Sequence, residues 1–331
     1  MTTQTSPSLL DSETVARLTP SYEGSNIGSW IGFKHINYLV EAAVLDHFRA
    51  SGFGVRSLYE KYGLCLEIVD LDTRIATGVH LDDLIEATVR PWTADDAGEL
   101  ALTVSLVAQR GAERTKVASS RVRVLLRRDL RGGPAEAAPK ELLPFITNHI
   151  ARAGREPTPI PYLAGPYSVG RGSTGGDPVL AELVRDTNAF AWRWRIPYPY
   201  CHFNERLQMS GYLRQMEEVV DLFLADRGIS IKSLLDERSW IPVVPHSAIT
   251  MLDEAIMEED LYTVYTVEHI FKGFTYTSRM DTYVLRDGEP LRTATGRITH
   301  GYAEIGSRGS FNLVEFDGRV LAALGGESHA D

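Results

Sequence analysis

The apolar residues of this chain follow a helical spacing in two separate stretches. In each stretch they recur three and four positions apart, and a glycine, Gly52 or Gly228, follows the run. Residues with this spacing share one face of a helix, and glycine commonly ends a helix. The pattern predicts helices over residues 37–51 and 204–227.

Beyond each predicted helix the apolar and polar residues alternate with period two, as in strands with one buried face. The alternating tracts cover residues 84–92, 99–110, 115–126, 262–267, 274–285 and 291–303. Asp287-Gly288 between the last two is a hairpin-turn signal. Each half is therefore predicted to be one helix followed by an antiparallel meander.

Three landmarks recur in the same order in the two halves. They are His35-Ile36-Asn37 with His202-Phe203-Asn204, Asp82-Asp83-Leu84 with Glu259-Asp260-Leu261, and Ala118-Ser119-Ser120-Arg121 with Ala294-Thr295-Gly296-Arg297. The interval from Asp83 to Arg121 is 38 residues, and that from Asp260 to Arg297 is 37. Three landmarks at near-equal spacing indicate an internal repeat. The predicted class is α+β, with two antiparallel sheets each wrapped around one central helix.

Proline and glycine divide the chain between these halves. Eight of the sixteen prolines fall in residues 129–180, where regular structure cannot run far. The predicted organisation is a mobile N-terminus over residues 1–20, a first domain over 21–130, a Pro/Gly-rich linker over 131–180 with a short helix at 140–153, a second domain over 181–324 and a tail over 325–331.

The 331 residues carry a formal charge of −10, which argues against a non-specific nucleic-acid binder. No apolar run reaches the length of a membrane span, and the first residues have no signal-peptide pattern. Cys65 and Cys201 lie far apart without Cys-x-x-Cys spacing, which fits a reducing compartment. The sequence predicts a cytoplasmic protein with no nucleic-acid or membrane partner. It also predicts no metal and no cofactor.

His-x-Asn at a helix start, with a later Asp-Asp-Leu or Glu-Asp-Leu at a strand start, resembles the acyl-thioester hotdog enzymes. The likeness covers nearly the whole chain in two copies and implies a double (tandem) hotdog fold. Gly28 and Arg195 stand where thioesterases of the 4-hydroxybenzoyl-CoA type carry a catalytic Asp. Within the superfamily, the overall plan and the segment from Arg56 to Gly63 resemble the bifunctional acyltransferase/decarboxylases of leinamycin-type polyketide biosynthesis.

This resemblance implies conversion of methylmalonyl-CoA to a propionyl-acyl carrier protein through an acyl-tyrosine and an enolate, with Tyr62 as the catalytic residue. Acyl-CoA is then a substrate, an acyl carrier protein is a partner, and a homodimer is compatible with the pattern. The predicted substrate pocket comprises His35, Asn37, Glu41, His202 and Asn204. Predicted contacts to CoA phosphates are Arg121, Arg127 and Arg128.

Each of these residues also has a structural interpretation. Asn37 and Asn204 are suitable helix N-caps, Tyr59 is a rival to Tyr62, and the arginines fit a solvated strand face. Two other functions stay open. One is a thioesterase or dehydratase, with Glu41, or His35 paired with a glutamate of the second helix, as its base. The other is a non-catalytic acyl-binding or carrier-docking module.

Overall fold

The structure is a computed structural model that describes residues 8–92, 98–152, 176–185, 187–201, 203–308 and 310–325. It divides into two compact units, Met1–Ile150 and Ala151–Asp331. Each unit contains one 18-residue helix against an antiparallel sheet. The predicted α+β class, with one central helix for each sheet, is confirmed.

The first unit is a five-stranded antiparallel sheet with α1 packed on one face. Its helices are α1 (Phe33–Ala50) and α2 (Val55–Tyr62), and its strands are β1 (Thr14–Leu18), β2 (Leu64–Ile75), β3 (Leu84–Trp92), β4 (Leu100–Arg110), β5 (Glu113–Arg128) and the short β6 (Ile146–Thr147). The strands follow the order β1-β3-β4-β5-β2, and β6 runs parallel to β5. The apolar face of α1, including Val40, Val44 and Phe48, is buried, so the core lies between this helix and the sheet.

The second unit has the same plan. Its helices are α3 (Pro178–Leu183), α4 (Met209–Asp226), α5 (Ile231–Arg238) and α6 (Gly318–Ala323), and its strands are β7 (Phe190–Arg195), β8 (Trp240–Met251), β9 (Asp260–Phe271), β10 (Thr275–Arg286), β11 (Glu289–Ser307) and β12 (Ser310–Val314). The sheet order is β8-β11-β10-β9-β7, with β12 beside β11. Buried residues of α4, such as Met216, Val220 and Phe223, form the core with the sheet.

The two units repeat one backbone plan at a constant interval of 176 positions. Met209 begins α4 176 positions after Phe33 begins α1, and Trp240 begins β8 at the same interval from Leu64. The interval also relates α2 to α5 and β5 to β11. A structural counterpart can therefore be assigned to each residue by adding 176.

This interval supports one sequence landmark and shifts another. Arg121 and Arg297 are true counterparts, as the sequence predicts. Asp83 corresponds to Glu259 instead of Asp260, because both carboxylates occupy the same position in the turn before a strand. The prediction that Asp83 corresponds to Asp260 is therefore wrong by one residue.

The two His-x-Asn motifs do not occupy equivalent positions, because Asn37 and Asn204 are not separated by the 176-residue interval. Neither Asn caps its helix. α1 is capped by Gly32, and Asn37 lies inside the helix. α4 is capped by Gln208, and Asn204 lies in the loop before it. Neither capping residue makes a side-chain hydrogen bond to the helix, so the usual cap signal in the sequence is missing at both true starts.

The segment predicted to be a mobile N-terminus, residues 1–20, contains β1, which pairs with β3 along its whole length. The buried ring of His47, on α1, fixes this segment. Its Nδ1 lies 2.8 Å from the Thr14 hydroxyl, and its Nε2 lies 3.0 Å from the carbonyl oxygen of Leu9. The N-terminal segment is thus tied to the central helix by side-chain bonds that periodicity does not show.

The predicted helix at 140–153 is reduced to a 3-10 helix, Lys140–Phe145, followed by β6. Pro144 lies inside this turn, and proline prevents its extension as an α-helix. α3 crosses the predicted linker boundary at residue 180. Residues 153–175, the centre of that linker, lie outside the described residues.

The turn before β3 contains a hydrogen-bonded group, here called the carboxylate clamp, that consists of Asp83, Arg110 and the backbone amide of His80. Asp83 is buried and accepts hydrogen bonds from Nε (2.9 Å) and Nη2 (2.7 Å) of Arg110 and from the backbone amide of His80 (2.9 Å). Burial alone would raise the pKa of Asp83, but these hydrogen bonds outweigh burial and lower the pKa below its ordinary value. The clamp fixes the turn that brings β3 into the sheet.

The same clamp recurs at the entrance to β9. Glu259 accepts hydrogen bonds from Nε and Nη2 of Arg286, both at 3.1 Å, and from the Ile256 amide at 2.7 Å. The preceding residues, Asp82 and Glu258, both have positive φ, 68° and 77°. Non-glycine residues rarely adopt this conformation without support from their surroundings, and the two clamps supply that support.

We expect Arg110→Gln to lower the free energy of unfolding at pH 7 by about 1–3 kcal/mol, because Asp83 loses its charged partner. Since the pKa of Asp83 is lowered by folding, its contribution is present above pH 3.8 and is lost as the pH falls below that value. Urea denaturation at pH 7 and at pH 3 measures both effects, and the two proteins should differ less at pH 3. Arg56→Gln, which removes an exposed pair with Glu60, is the control and should change neither value. A variant as stable as the wild type at pH 7 would contradict the clamp's role.

Candidate functional site

Asn37 braces the central helix of the first unit against its sheet. The side chain is fully buried; its Nδ2 donates to the carbonyl oxygen of Phe33 (3.0 Å), and its Oδ1 accepts from the Thr73 hydroxyl (2.6 Å). The Thr73 oxygen lies 2.8 Å from the hydroxyl of Ser120, which therefore acts as the donor in that pair. Hydrogen bonds thus join α1, β2 and β5, and the position of α1 along the sheet is fixed.

The second unit has no such brace at the corresponding positions. The counterparts of Asn37, Thr73 and Ser120 are Leu213, Ile249 and Gly296. A side chain at Gly296 would meet Met216, whose methyl group lies 2.6 Å from the place of a Cβ atom. Apolar packing therefore fills the space that hydrogen bonds occupy in the first unit.

Glu41 lies one helical turn after Asn37 and on the same face of α1. Glu67, on β2, is its near neighbour and is only 3% exposed. Burial, and secondly the negative charge of Glu67, raise the pKa of Glu41 to about 7. Glu41 keeps part of its surface accessible, which a group that exchanges protons with a ligand requires.

A carboxyl group with a pKa near 7 can act as an acid or as a base at physiological pH. The second unit lacks this pair, because the counterpart of Glu41 is the exposed Glu217 and that of Glu67 is Val243. The Glu41–Glu67 pair therefore has no equivalent at the corresponding positions of the second unit.

Sequence reasoning missed Glu67. The signal was a single glutamate in an otherwise apolar stretch, Leu64-Cys65-Leu66-Glu67-Ile68-Val69. A charge inside such a stretch is costly to bury unless a partner or a proton compensates it. The sequence indicates that Glu67 lies in a buried strand. It does not indicate that Glu67 is near Glu41, because that proximity depends on how α1 crosses β2.

His35 lies in the first turns of α1 and is 7% exposed. Its ring packs edge-on against Tyr38, with 5.0 Å between the ring centroids, and closely against the backbone of Gly24. Its Nε2 is 3.9 Å from a carboxylate oxygen of Glu23. These contacts hold the 3-10 turn Tyr22–Gly24 against the start of the helix.

Tyr62 is the last residue of α2 and is partly exposed. Its hydroxyl makes no hydrogen bond within the part of the chain that the structure describes. The rival Tyr59, on the same helix, is near Asp129, whose charge raises the pKa of the phenol. Of the two tyrosines, Tyr62 is therefore the one whose hydroxyl makes no hydrogen bond among the described residues. Its catalytic role stays a prediction.

The predicted pocket residues of the second half are not equivalent to those of the first. His202 lies outside the described residues. Asn204 is in the loop before α4, where its Oδ1 accepts a hydrogen bond from the Arg206 amide (2.7 Å) in a local turn. By the 176-residue interval its counterpart is Gly28, not Asn37.

The three arginines predicted to contact CoA phosphates do not form one cluster. Arg127 and Arg128 are adjacent in β5, so they point to opposite faces of the sheet. Arg121 is six positions away, about 20 Å along the strand. It instead lines a recess with Arg74 and Lys116.

Among the described residues, no group of three or more histidine, cysteine or acidic side chains is arranged to hold a metal ion. Cys65 and Cys201 are buried and form no disulfide. Within the same residues, no helix combines the length and apolar character needed to cross a membrane.

No family model and no curated protein sequence matches the chain. Solved structures do. A protein described as an oleoyl thioesterase from Lactobacillus plantarum aligns over 88% of this chain and 95% of its own, with a TM-score of 0.56 and 12% identity. An acyl-ACP thioesterase from Bacteroides thetaiotaomicron (87% and 97%, TM-score 0.52, 10% identity) and the 12:0-ACP thioesterase from Umbellularia californica (87% and 93%, TM-score 0.53, 12% identity) are also similar. The chain has a tandem hotdog fold. The expected double hotdog architecture is thereby confirmed, whereas similarity at this identity carries no residue roles.

We expect Glu41→Gln to change how stability depends on pH. The folded chain binds a proton at Glu41 up to about pH 7 and the unfolded chain only up to about 4.5, so wild-type stability falls as the pH rises between these values. The fall amounts to about 3 kcal/mol relative to the variant, which has no such proton. Urea denaturation between pH 4.5 and 8 measures it. A Glu41→Gln curve parallel to the wild type would refute the raised pKa.

Proposed function

We propose that the first unit processes acyl thioesters, with Glu41 as its proton-exchanging group. The observation that carries the proposal is the location of Glu41 beside Glu67 on the central helix, with a pKa near 7. The solved structures with this architecture include proteins described as acyl-ACP thioesterases, which makes an acyl thioester the natural substrate class. The first turn of α1 adds a helix dipole that favours developing negative charge.

For the reaction we propose decarboxylation of methylmalonyl-CoA and transfer of the resulting propionyl group to an acyl carrier protein. The bond between Cα and the carboxylate breaks, CO₂ leaves, and its electron pair forms the thioester enolate. Protonated Glu41 then donates its proton to Cα to give the propionyl thioester, and it regains a proton from solvent. A pKa near 7 suits this role, because the acid is available at neutral pH.

Transfer requires a nucleophile, and we assign this role to Tyr62. Its oxygen attacks the thioester carbonyl carbon, the carbon–sulfur bond breaks, and CoA leaves as the thiol with the phenol's proton. The thiol of the carrier's phosphopantetheine arm then attacks the tyrosyl ester and restores the phenol. The accessible position of Tyr62 at the end of α2 supports this assignment.

Hydrolysis is the second candidate function, and the same carboxylate pair favours it. An ionised Glu41 can take a proton from water as that water attacks the thioester carbonyl, giving a free acid and a thiol. The two reactions use Glu41 in opposite protonation states. They are therefore distinguished by their products and by the pH at which each is fastest.

Mass spectrometry of products from methylmalonyl-CoA and a phosphopantetheinylated carrier protein tests the proposal. We expect propionyl-carrier and CO₂, whereas free acid would identify a hydrolase and an unchanged substrate a binding module. Glu41→Gln should slow product formation about a hundredfold or more, as loss of an acid–base group does. Full activity of this variant would overturn the role of Glu41.

Tyr62→Phe separates the two steps in the same assay. The change removes only the hydroxyl, so CO₂ release should continue while transfer to the carrier is lost. Tyr59→Phe, on the same helix, is the matched control and should retain transfer. Undiminished transfer by the Tyr62 variant would exclude the acyl-tyrosine.

A further inference from the structure

The sheet of the first unit carries a recess of about 520 Å³ on one face. It is lined by Asp72, Arg74, Thr88, Arg90, Thr103, Val104, Ser105, Lys116, Ser119, Ser120 and Arg121. Most of these residues belong to two neighbouring cross-strand rows. One row reads Arg90-Thr103-Arg121-Asp72 and the next reads Thr88-Ser105-Ser119-Arg74, across β3, β4, β5 and β2.

The recess faces away from the central helix. Residues that alternate with its lining, such as Val89, Leu102 and Val122, are buried in the core under α1. Arg74 and Arg121 are exposed by the same alternation. The long side chains of the recess thus lie on the face of the sheet opposite α1, the helix that carries Glu41, whereas Val104 and Ser120 of the lining belong to the helix face.

Short hydroxyl side chains form the floor of the recess, and long cationic side chains form its walls. Four cations, Arg74, Arg90, Lys116 and Arg121, stand against one carboxylate, Asp72. Arg90 is paired with Glu13. Within the described residues no carboxylate lies at ion-pair distance from Arg74, Lys116 or Arg121. Three of the four cations thus line the hollow without an ion pair among the described residues, and Asp72 is the single carboxylate in the lining.

On the corresponding face of the second unit, arginine side chains form ion pairs with carboxylates of the same face. The counterparts of Thr103 and Ser105 are Arg279 and Asp281. Arg279 contacts Glu268 (3.2 Å) and Asp281 (2.9 Å), and Arg297, the counterpart of Arg121, contacts Glu268 (2.9 Å). Charged side chains replace the hydroxyls of the first unit at these positions, and Arg279 and Arg297 each have a carboxylate partner.

We propose that this recess binds an anion that carries two or more phosphate groups. Arginine offers paired donors that match phosphate oxygens, and lysine adds a point charge. The hydroxyls of Thr88, Ser105 and Ser119 add donors from below, whereas those of Thr103 and Ser120 donate to Arg90 and Thr73. The volume lies within the range of small-molecule sites. The lining contains a single apolar residue, Val104, so it lacks the apolar centre that a protein partner would need.

Isothermal titration calorimetry with pyrophosphate and with adenosine 3′,5′-bisphosphate tests the proposal on the full chain. The first probe represents a free polyphosphate and the second the nucleotide end of a larger ligand. We expect at least one probe to bind with one site per chain. Arg121→Gln and Arg74→Gln should each weaken that binding about tenfold or more, because each removes a charge-assisted contact. Both side chains are exposed, and thermal melting verifies that the variants are folded.

Arg297→Gln is the matched control, since it removes the equivalent arginine from the neutralised face. It should leave the affinity unchanged. Absence of binding of both probes at millimolar concentration and low salt would overturn the proposal. Equal weakening by Arg121→Gln and Arg297→Gln would also overturn it, because the binding would then be a general charge effect.

Discussion

The burial of one carboxylate beside another, on a helix pressed against a sheet, is the constraint on which the account of this protein depends. Two carboxylates in such a place cannot both ionise at low energetic cost, so one of them holds its proton to about pH 7. The arrangement exists because Asn37, Thr73 and Ser120 fix where α1 crosses the strands. Without that brace, Glu41 would have no fixed relation to Glu67. The hydrogen-bonded network of Asn37, Thr73 and Ser120 therefore positions α1, and this position places Glu41 near Glu67.

The repeat shows how one backbone serves two purposes. The carboxylate clamps and the left-handed residues before them recur at the same interval in both units, so they belong to the architecture. The buried polar contacts under α1 do not recur, and neither does the cationic recess. The Glu41–Glu67 pair and the cationic recess have no counterpart at the corresponding positions of the second unit. An internal repeat of this kind allows each candidate site to be compared with the equivalent positions in the same chain.

Hydrophobic periodicity predicted the two central helices and the strands β3, β4, β5, β9, β10 and β11, because burial of one face dictates a helix or strand period. It did not predict the strands β2 and β8 or the helices α2 and α5. It could not locate the helix starts, since Gly32 and Gln208 cap without the side-chain bonds that mark a cap. The similar His-x-Asn motifs therefore pair His35 with His202, nine residues short of the true interval. Glu41 was recognised as a candidate from its spacing to Asn37. Its partner Glu67 was not, because contact between a helix and a strand is decided by packing that no local pattern encodes.

The titration of Glu41 is the measurement that tests this account most directly. In protein labelled with ¹³C at the glutamate carboxyl carbons, the resonance that disappears in Glu41→Gln reports this group. We expect a midpoint near pH 7. In Glu67→Gln the midpoint should move down because a neighbouring negative charge is removed, but it should stay above 4.5 because burial is the larger cause of the raised pKa. A wild-type midpoint near 4.5, or one that Glu67→Gln leaves unmoved, would contradict the carboxylate pair as the basis of function.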